Sequence, residues 1–176
     1  MLLDWMKSHP TLADDEQSGF DPDAVTVSET VNIDAPAKVV WDVLTDLPRY
    51  NEWNPFCVRA VSTLEMEAPV EMTLVNYAVP GTLVENREFV CAFEPEAMLS
   101  WELPHYDFWP YPARRDQIIE KTGPESCRYF STDAFLGANG IHVFRFAGPW
   151  VKRAFDDSAM ALKVRAETIY TASRKG

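Results

Sequence analysis

The stretch Val31-Asn32-Ile33-Asp34-Ala35-Pro36 runs on through Val39-Val40-Trp41 and Val43-Leu44 to Pro48-Arg49-Tyr50-Asn51-Glu52-Trp53-Asn54-Pro55, and its periodicity changes within a few residues. Just upstream, Val25, Val27, Val31 and Ile33 alternate with Thr26, Ser28 and Asn32, which predicts a half-buried strand over 24–33. Asp34-Ala35-Pro36 then offers an N-cap with proline in the first turn. Val39, Val40, Val43 and Leu44 recur at helical spacing and predict a helix over 35–46, stopped at Leu47-Pro48. Residues 48–55 are bounded by prolines and fit only a short helical turn.

Downstream, strand-length runs at 56–65, 70–78, 82–94, 97–103, 113–121 and 126–136 alternate with turn residues, among them Pro80-Gly81, Glu94-Pro95-Glu96 and Thr122-Gly123-Pro124-Glu125. Regular spacing with short turns predicts an antiparallel meander. The wide connection from Pro104 to Pro112 is rich in aromatics and is expected to fold over an apolar surface. Gly148-Pro149 reads as a helix start. Beyond it Val151, Phe155, Ala159, Leu162, Ala166 and Ile169 keep one face apolar, with Lys152, Asp156, Lys163 and Glu167 opposite, so a long helix is expected over 149–170. The fold class is therefore α+β: about seven strands, two short helices after the first, and a long C-terminal helix.

Length and composition narrow the function. One domain is the expectation for 176 residues, and a 47% hydrophobic composition excludes a disordered chain. A net charge of −11 argues against a nucleic-acid partner and against docking on anionic lipid. The acidity is uneven: residues 1–53 hold 11 acids and 3 bases, and the rest hold 16 acids and 13 bases. Residues 1–23, with six acids and one lysine, read as a polar extension preceding a domain at 24–172. No long apolar run predicts a signal peptide or stable membrane insertion, so the expected compartment is the cytoplasm. Cys57, Cys91 and Cys127 are odd in number and widely spaced, and are expected to be small buried hydrophobes.

The segments Val31–Pro36, Val40-Trp41, Leu44, Asp46-Leu47, Tyr50 and Trp53-Asn54-Pro55-Phe56, with Ala161-Leu162-Lys163 and Arg165-Ala166-Glu167 near the end, resemble the SRPBCC superfamily. This is the helix-grip group of START domains, birch-pollen allergens and polyketide cyclase/dehydrase-like proteins. The resemblance spans about 24–172. It implies a curved sheet wrapped around the C-terminal helix with a cavity between them. It leaves function open, because such members bind, carry or transform many apolar molecules.

The sequence offers little for metal or cofactor chemistry. His9, His105 and His142 are scattered without an HxxxH pair, and no GxGxxG, GxxxxGKS/T or GxSxG is present. Neither a metal nor an organic cofactor is expected. Any reaction would be acid–base work in the cavity. By strand parity Cys127, Tyr129, Ser131, Asp133 and Phe135 share one face, which the resemblance turns inward. Asp133 is then a general-base candidate, or alternatively an ion-paired or turn-capping carboxylate near Gly137. Arg115, Gln117 and Ile119 share a face of the preceding strand. Arg115 is a partner for Asp133 or for a ligand oxyanion, or else a solvated strand-end side chain. His105 is a third catalytic candidate, and His105, Tyr106, Trp109 and Tyr111 are a polar–aromatic cluster that either donates to a ligand or forms a lid or dimer contact. Phe155 and Leu162 point from the long helix towards the same space.

These residues favour a module that binds a small hydrophobic or aromatic molecule, as a monomer or homodimer. The alternatives are a cofactor-independent cyclase, aromatase or lyase, and a protein-interaction role resting on the acidic extension.

Overall fold

The computed structural model describes residues 19–107 and 110–175. The order is β1 Val25–Val27, β2 Val31–Ile33, α1 Ala37–Thr45, a 3₁₀ segment Leu47–Glu52, β3 Cys57–Val61, β4 Pro69–Val75, β5 Leu83–Glu94, β6 Met98–Leu103, β7 Ala113–Gly123, β8 Ser126–Phe135 and α2 Gly140–Ser173. All strand pairs are antiparallel, in the order β1-β8-β7-β6-β5-β4-β3, with β2 also pairing β8. This is the helix-grip architecture that the sequence predicts. Register shifts at Cys57/Arg59 in β3 and Val90/Ala92 in β5 insert residues on one strand only, which bends the sheet.

The predicted first strand is two strands. At the break Ser28 still serves the ladder, since its N–H donates to Ser131 O and its hydroxyl accepts from Ser131 N, both at 2.9 Å. Glu29 then leaves the sheet for α2, donating its N–H to Asp156 Oδ1 at 2.7 Å. That detour makes eight strands from an expected seven. The expected N-cap Asp34 does not cap α1, which opens after Pro36. The Asp34 N–H donates instead to Glu167 on α2.

The larger correction concerns α2. It begins at Gly140, not at Pro149, and its 34 residues give a rod about 51 Å long. The Gly148-Pro149 pair lies inside it. Gly148 is where the helix meets β1: a Cβ there would stand 2.9 Å from the Phe144 ring and 3.3 Å from Thr26 Oγ1. Ile141, Val143, Phe144 and Phe146, which precede the expected helix start, lie in its first turns.

Two apolar clusters fill the grip. The larger joins α1 (Val40, Leu44) and the C-terminal half of α2 (Ala159, Leu162, Ala166) to the sheet through Leu99, Trp101, Ile119 and Tyr129. Tyr50 is sealed in it and donates its hydroxyl to Leu44 O at 2.6 Å. The smaller gathers Phe56, Phe135, Ala147, Val151, Ala154 and Phe155 around the N-terminal half of α2. Cys57 and Cys127 are buried, Cys91 is half-buried, and all three are free thiols. Of the predicted extension, Gly19–Asp23 are described, and Phe20 packs on Ala134 and Leu136. The remainder, at 1–18, lies outside the described residues. Among the described residues no helix is long and apolar enough to cross a membrane.

Candidate functional site

The helix does not close completely on the sheet. Between the N-terminal half of α2 and the inner faces of β4 to β8 lies a cavity of about 820 Å³. Its walls are mostly apolar: Phe56, Met72, Trp101, Phe135, Val151 and Phe155 all line it. Exposed Val84, Tyr111 and Phe146 line it as well, and they form its rim.

The polar groups within it follow from register. Residues opposite one another on antiparallel strands project to the same face. Trp101 of β6 faces Arg115 of β7, which faces Asp133 of β8, and all three line the cavity. Glu88 of β5, with its neighbour Asn86, approaches from the far side of the bend.

Arg115 is buried, at 6% exposure. Its guanidinium carbon stands 4.1 Å over the Phe155 ring, with Phe56 and Trp101 each at 5.9 Å. Nε has no hydrogen-bond partner, and the guanidinium forms no ion pair with any described carboxylate. Arg115 is therefore neither the solvated strand-end side chain nor the ion-pair partner of Asp133.

Both cavity carboxyls resist ionisation. Burial pushes Glu88 up to about 7, against the pull of Arg115 and of the Asn86 amide, which donates to Oε1 at 2.7 Å. Burial also holds Asp133 well above the ordinary carboxylate range, with the charges of Glu88 and Asp116 pushing the same way and Arg115 opposing. A protonated carboxyl donates a hydrogen bond. An ionised one in the same place accepts a proton. The site thus holds a cation, one carboxyl that changes role near neutral pH, a second held well above the ordinary carboxylate range, and aromatic walls.

The remaining candidates separate. Phe135, Phe155 and Tyr111 line the cavity with Arg115 and Asp133. Gln117 and Ser131 are register partners on the same sheet face but lie deeper, fully buried. Tyr129 and Leu162 belong to the larger core cluster. His105 is exposed and Tyr106 half-buried, and neither lines the cavity, whereas Trp109 lies outside the described residues. The aromatic connection therefore reaches the cavity through Tyr111. Sequence reasoning missed Glu88, Asn86, Trp101 and His142 as lining residues. Parity could have found Glu88, because Val84, Asn86, Glu88 and Val90 alternate along one face of β5. Among the described residues no group of three or more His, Cys, Asp or Glu side chains is placed to hold a metal ion.

Several solved structures share this architecture at low identity. A START superfamily protein from Mycobacterium smegmatis superposes with a TM-score of 0.62 at 15% identity, over 82% of this chain and 98% of that one. The Zhui aromatase/cyclase from Streptomyces sp. R1128 does so with a TM-score of 0.62 at 18% identity, over 81% and 94%. A norcoclaurine synthase point mutant from Thalictrum flavum gives a TM-score of 0.52 at 15% identity, over 80% and 96%. Such likeness shows the fold alone, and these three proteins carry different names on it. No curated protein matches the sequence. The family described as polyketide cyclase/dehydrase and lipid transport matches residues 24–167, so that the strands, the grip and the cavity all fall within the match, and the chain belongs to that family.

Proposed function

We propose that this protein holds a small hydrophobic or aromatic molecule between its sheet and α2. The cavity carries the reading. Well-packed interiors leave few voids larger than a water molecule, whereas about 820 Å³ lined by aromatic side chains has the size and character of a small-molecule site. Membership of a family described by cyclase, dehydrase and lipid-transport roles supports it.

The test is binding of Nile red, a neutral dye that brightens in apolar surroundings. Saturable binding at one dye per chain is expected, and it should be lost in Val151→Trp, whose indole fills the cavity beside Phe155. Absence of saturable binding, or binding unchanged in Val151→Trp, overturns the reading.

A second reading, cofactor-independent acid–base catalysis of the cyclase or lyase type, draws on the two cavity carboxyls, since Glu88 at about 7 suits proton transfer near neutrality. Native mass spectrometry of protein from its host, followed by incubation of the co-purifying molecule with fresh protein, separates the two. Carriage returns the molecule unchanged. Catalysis converts it, and Glu88→Gln stops the conversion.

A further inference from the structure

Resting on the ligand-cavity reading above, a charge imbalance in the cavity points to the class of ligand. A buried guanidinium without a counter-ion is costly, and native proteins rarely leave one. Arg115 is in that position: it is buried among Phe56, Trp101 and Phe155, Nε has no partner, and no described carboxylate pairs with it. Asp133 stands opposite in register without closing on it, and Glu88 accepts from Asn86. The nearby Tyr129 phenol oxygen accepts from Arg115 but is kept neutral by burial, so it supplies a hydrogen bond and no counter-charge. One step further along the inner face the Gln117 amide nitrogen, also buried, lacks an acceptor. Two buried donors, Arg115 Nε and Gln117 Nε2, thus stand without acceptors on the inner face. Towards the rim the walls turn apolar, through Phe135, Val151 and the exposed Phe146.

We infer that the ligand is an amphiphilic monocarboxylate, its carboxylate seated on Arg115 and its apolar body lying between Trp101, Phe135 and α2 towards Phe146. A planar oxyanion matches the forked donors of a guanidinium, and a stacked arginine keeps that fork fixed in one orientation. Protonated Glu88 and Asp133 fit the same occupant, because each can donate to a carboxylate or to a second oxygen and neither repels it.

Displacement of Nile red by a matched pair of compounds tests the assignment: 5-phenylpentanoic acid and 5-phenylpentan-1-ol, which share an apolar body and differ in the anionic head. At pH 6 the acid is expected to bind the native protein at least about tenfold more tightly than the alcohol. Arg115→Gln should abolish that preference, and Arg115→Lys should retain part of it. The comparison on native protein does not depend on either variant folding. Displacement by the alcohol at the same concentrations as by the acid, by the alcohol alone, or by neither overturns the anionic head and leaves the cavity reading standing. Acid preference that persists in Arg115→Gln also overturns it. Failure of Nile red itself to bind overturns the cavity reading, and this inference with it.

Discussion

Arg115 and Asp133 face each other directly across the β7–β8 ladder, on the cavity face of the sheet, and form no ion pair. Opposite charges in such a position ordinarily attract with about 0.2–1 kcal/mol. Here each is drawn elsewhere. The guanidinium carbon stands 4.1 Å over the Phe155 ring, and burial, with the charges of Glu88 and Asp116, favours the neutral form of the carboxyl. The cavity thus keeps its positive charge available instead of cancelling it internally.

The carboxyls give stability a distinctive pH dependence. Glu88 moves from an ordinary 4.5 to about 7 on folding, so between these values the native state binds more protons than the unfolded chain. Stability contributed by this group is complete below about 4.5 and is lost as pH rises towards 7. Asp133 shifts in the same direction. Glu88→Gln mimics the protonated acid, so its urea midpoint should match wild type near pH 4.5 and exceed it at pH 8, by about 1–3 kcal/mol in free energy. A gap that does not change with pH would show that Glu88 ionises as freely in the folded protein as in the unfolded one.

Ligand affinity should follow the same protons. The charged and titratable groups facing the proposed carboxylate are Arg115 on β7, Glu88 on β5, Asp133 on β8 and His142 on α2, with the Tyr129 and Cys57 protons held on by burial. Ionisation of Glu88 places a second anion in the cavity, so affinity for 5-phenylpentanoate should fall as pH rises through about 7. In Glu88→Gln the fall should shrink, and for the alcohol it should be absent. A titration profile identical for acid and alcohol would contradict the coupling.

Much of this was legible in the chain. Period-two alternation placed Arg115 and Asp133 on one side of neighbouring strands, and the resemblance turned that side inward. Glu88 escaped because the polar run Glu85-Asn86-Arg87-Glu88 offers no apolar alternation to mark an inner face, although Asn86 and Glu88 share the parity of Val84 and Val90 and both line the cavity. His105 attracted attention through its aromatic company, yet among the described residues of that connection only Tyr111 reaches the wall. The start of α2 was misread because Gly148-Pro149 is a stop-and-start signal when taken locally. Tertiary contact overrides it. Gly140 lies so close to the end of β8 that a Cβ would sit 2.1 Å from Phe135 O, and Gly148 lets the same helix close on Thr26.

On the outer face, Asp116 makes the opposite arrangement to Asp133. It is fully buried and accepts from Arg114 Nε at 2.9 Å and from the Ser100 hydroxyl. Removing one member of a buried charged pair leaves the charge of the other less compensated, so Asp116→Ala should cost about 3–5 kcal/mol. Asp116→Asn keeps an acceptor and should cost less. Chemical denaturation of both variants measures this, and losses below about 1 kcal/mol for the alanine variant would mean that Arg114 is fully compensated by other groups.

The continuity of α2 through Pro149 makes a prediction that separates the structure from the local sequence signal. Inside a helix, Pro149 has no N–H for the Arg145 carbonyl, and its ring crowds that carbonyl. At a helix start, the same proline would be favourable, because its φ is already helical and its N–H would have had no partner. Pro149 is exposed, so its replacement disturbs no core packing. Pro149→Ala should therefore stabilise the protein by about 1–3 kcal/mol and raise helicity in the far ultraviolet. It should also tighten Nile red binding, since His142, Val143 and Phe146 on the first turns form one wall of the cavity and are held by the helix on the other side of Pro149. A neutral or destabilising effect would place the helix start at Pro149 and detach that wall from the rod.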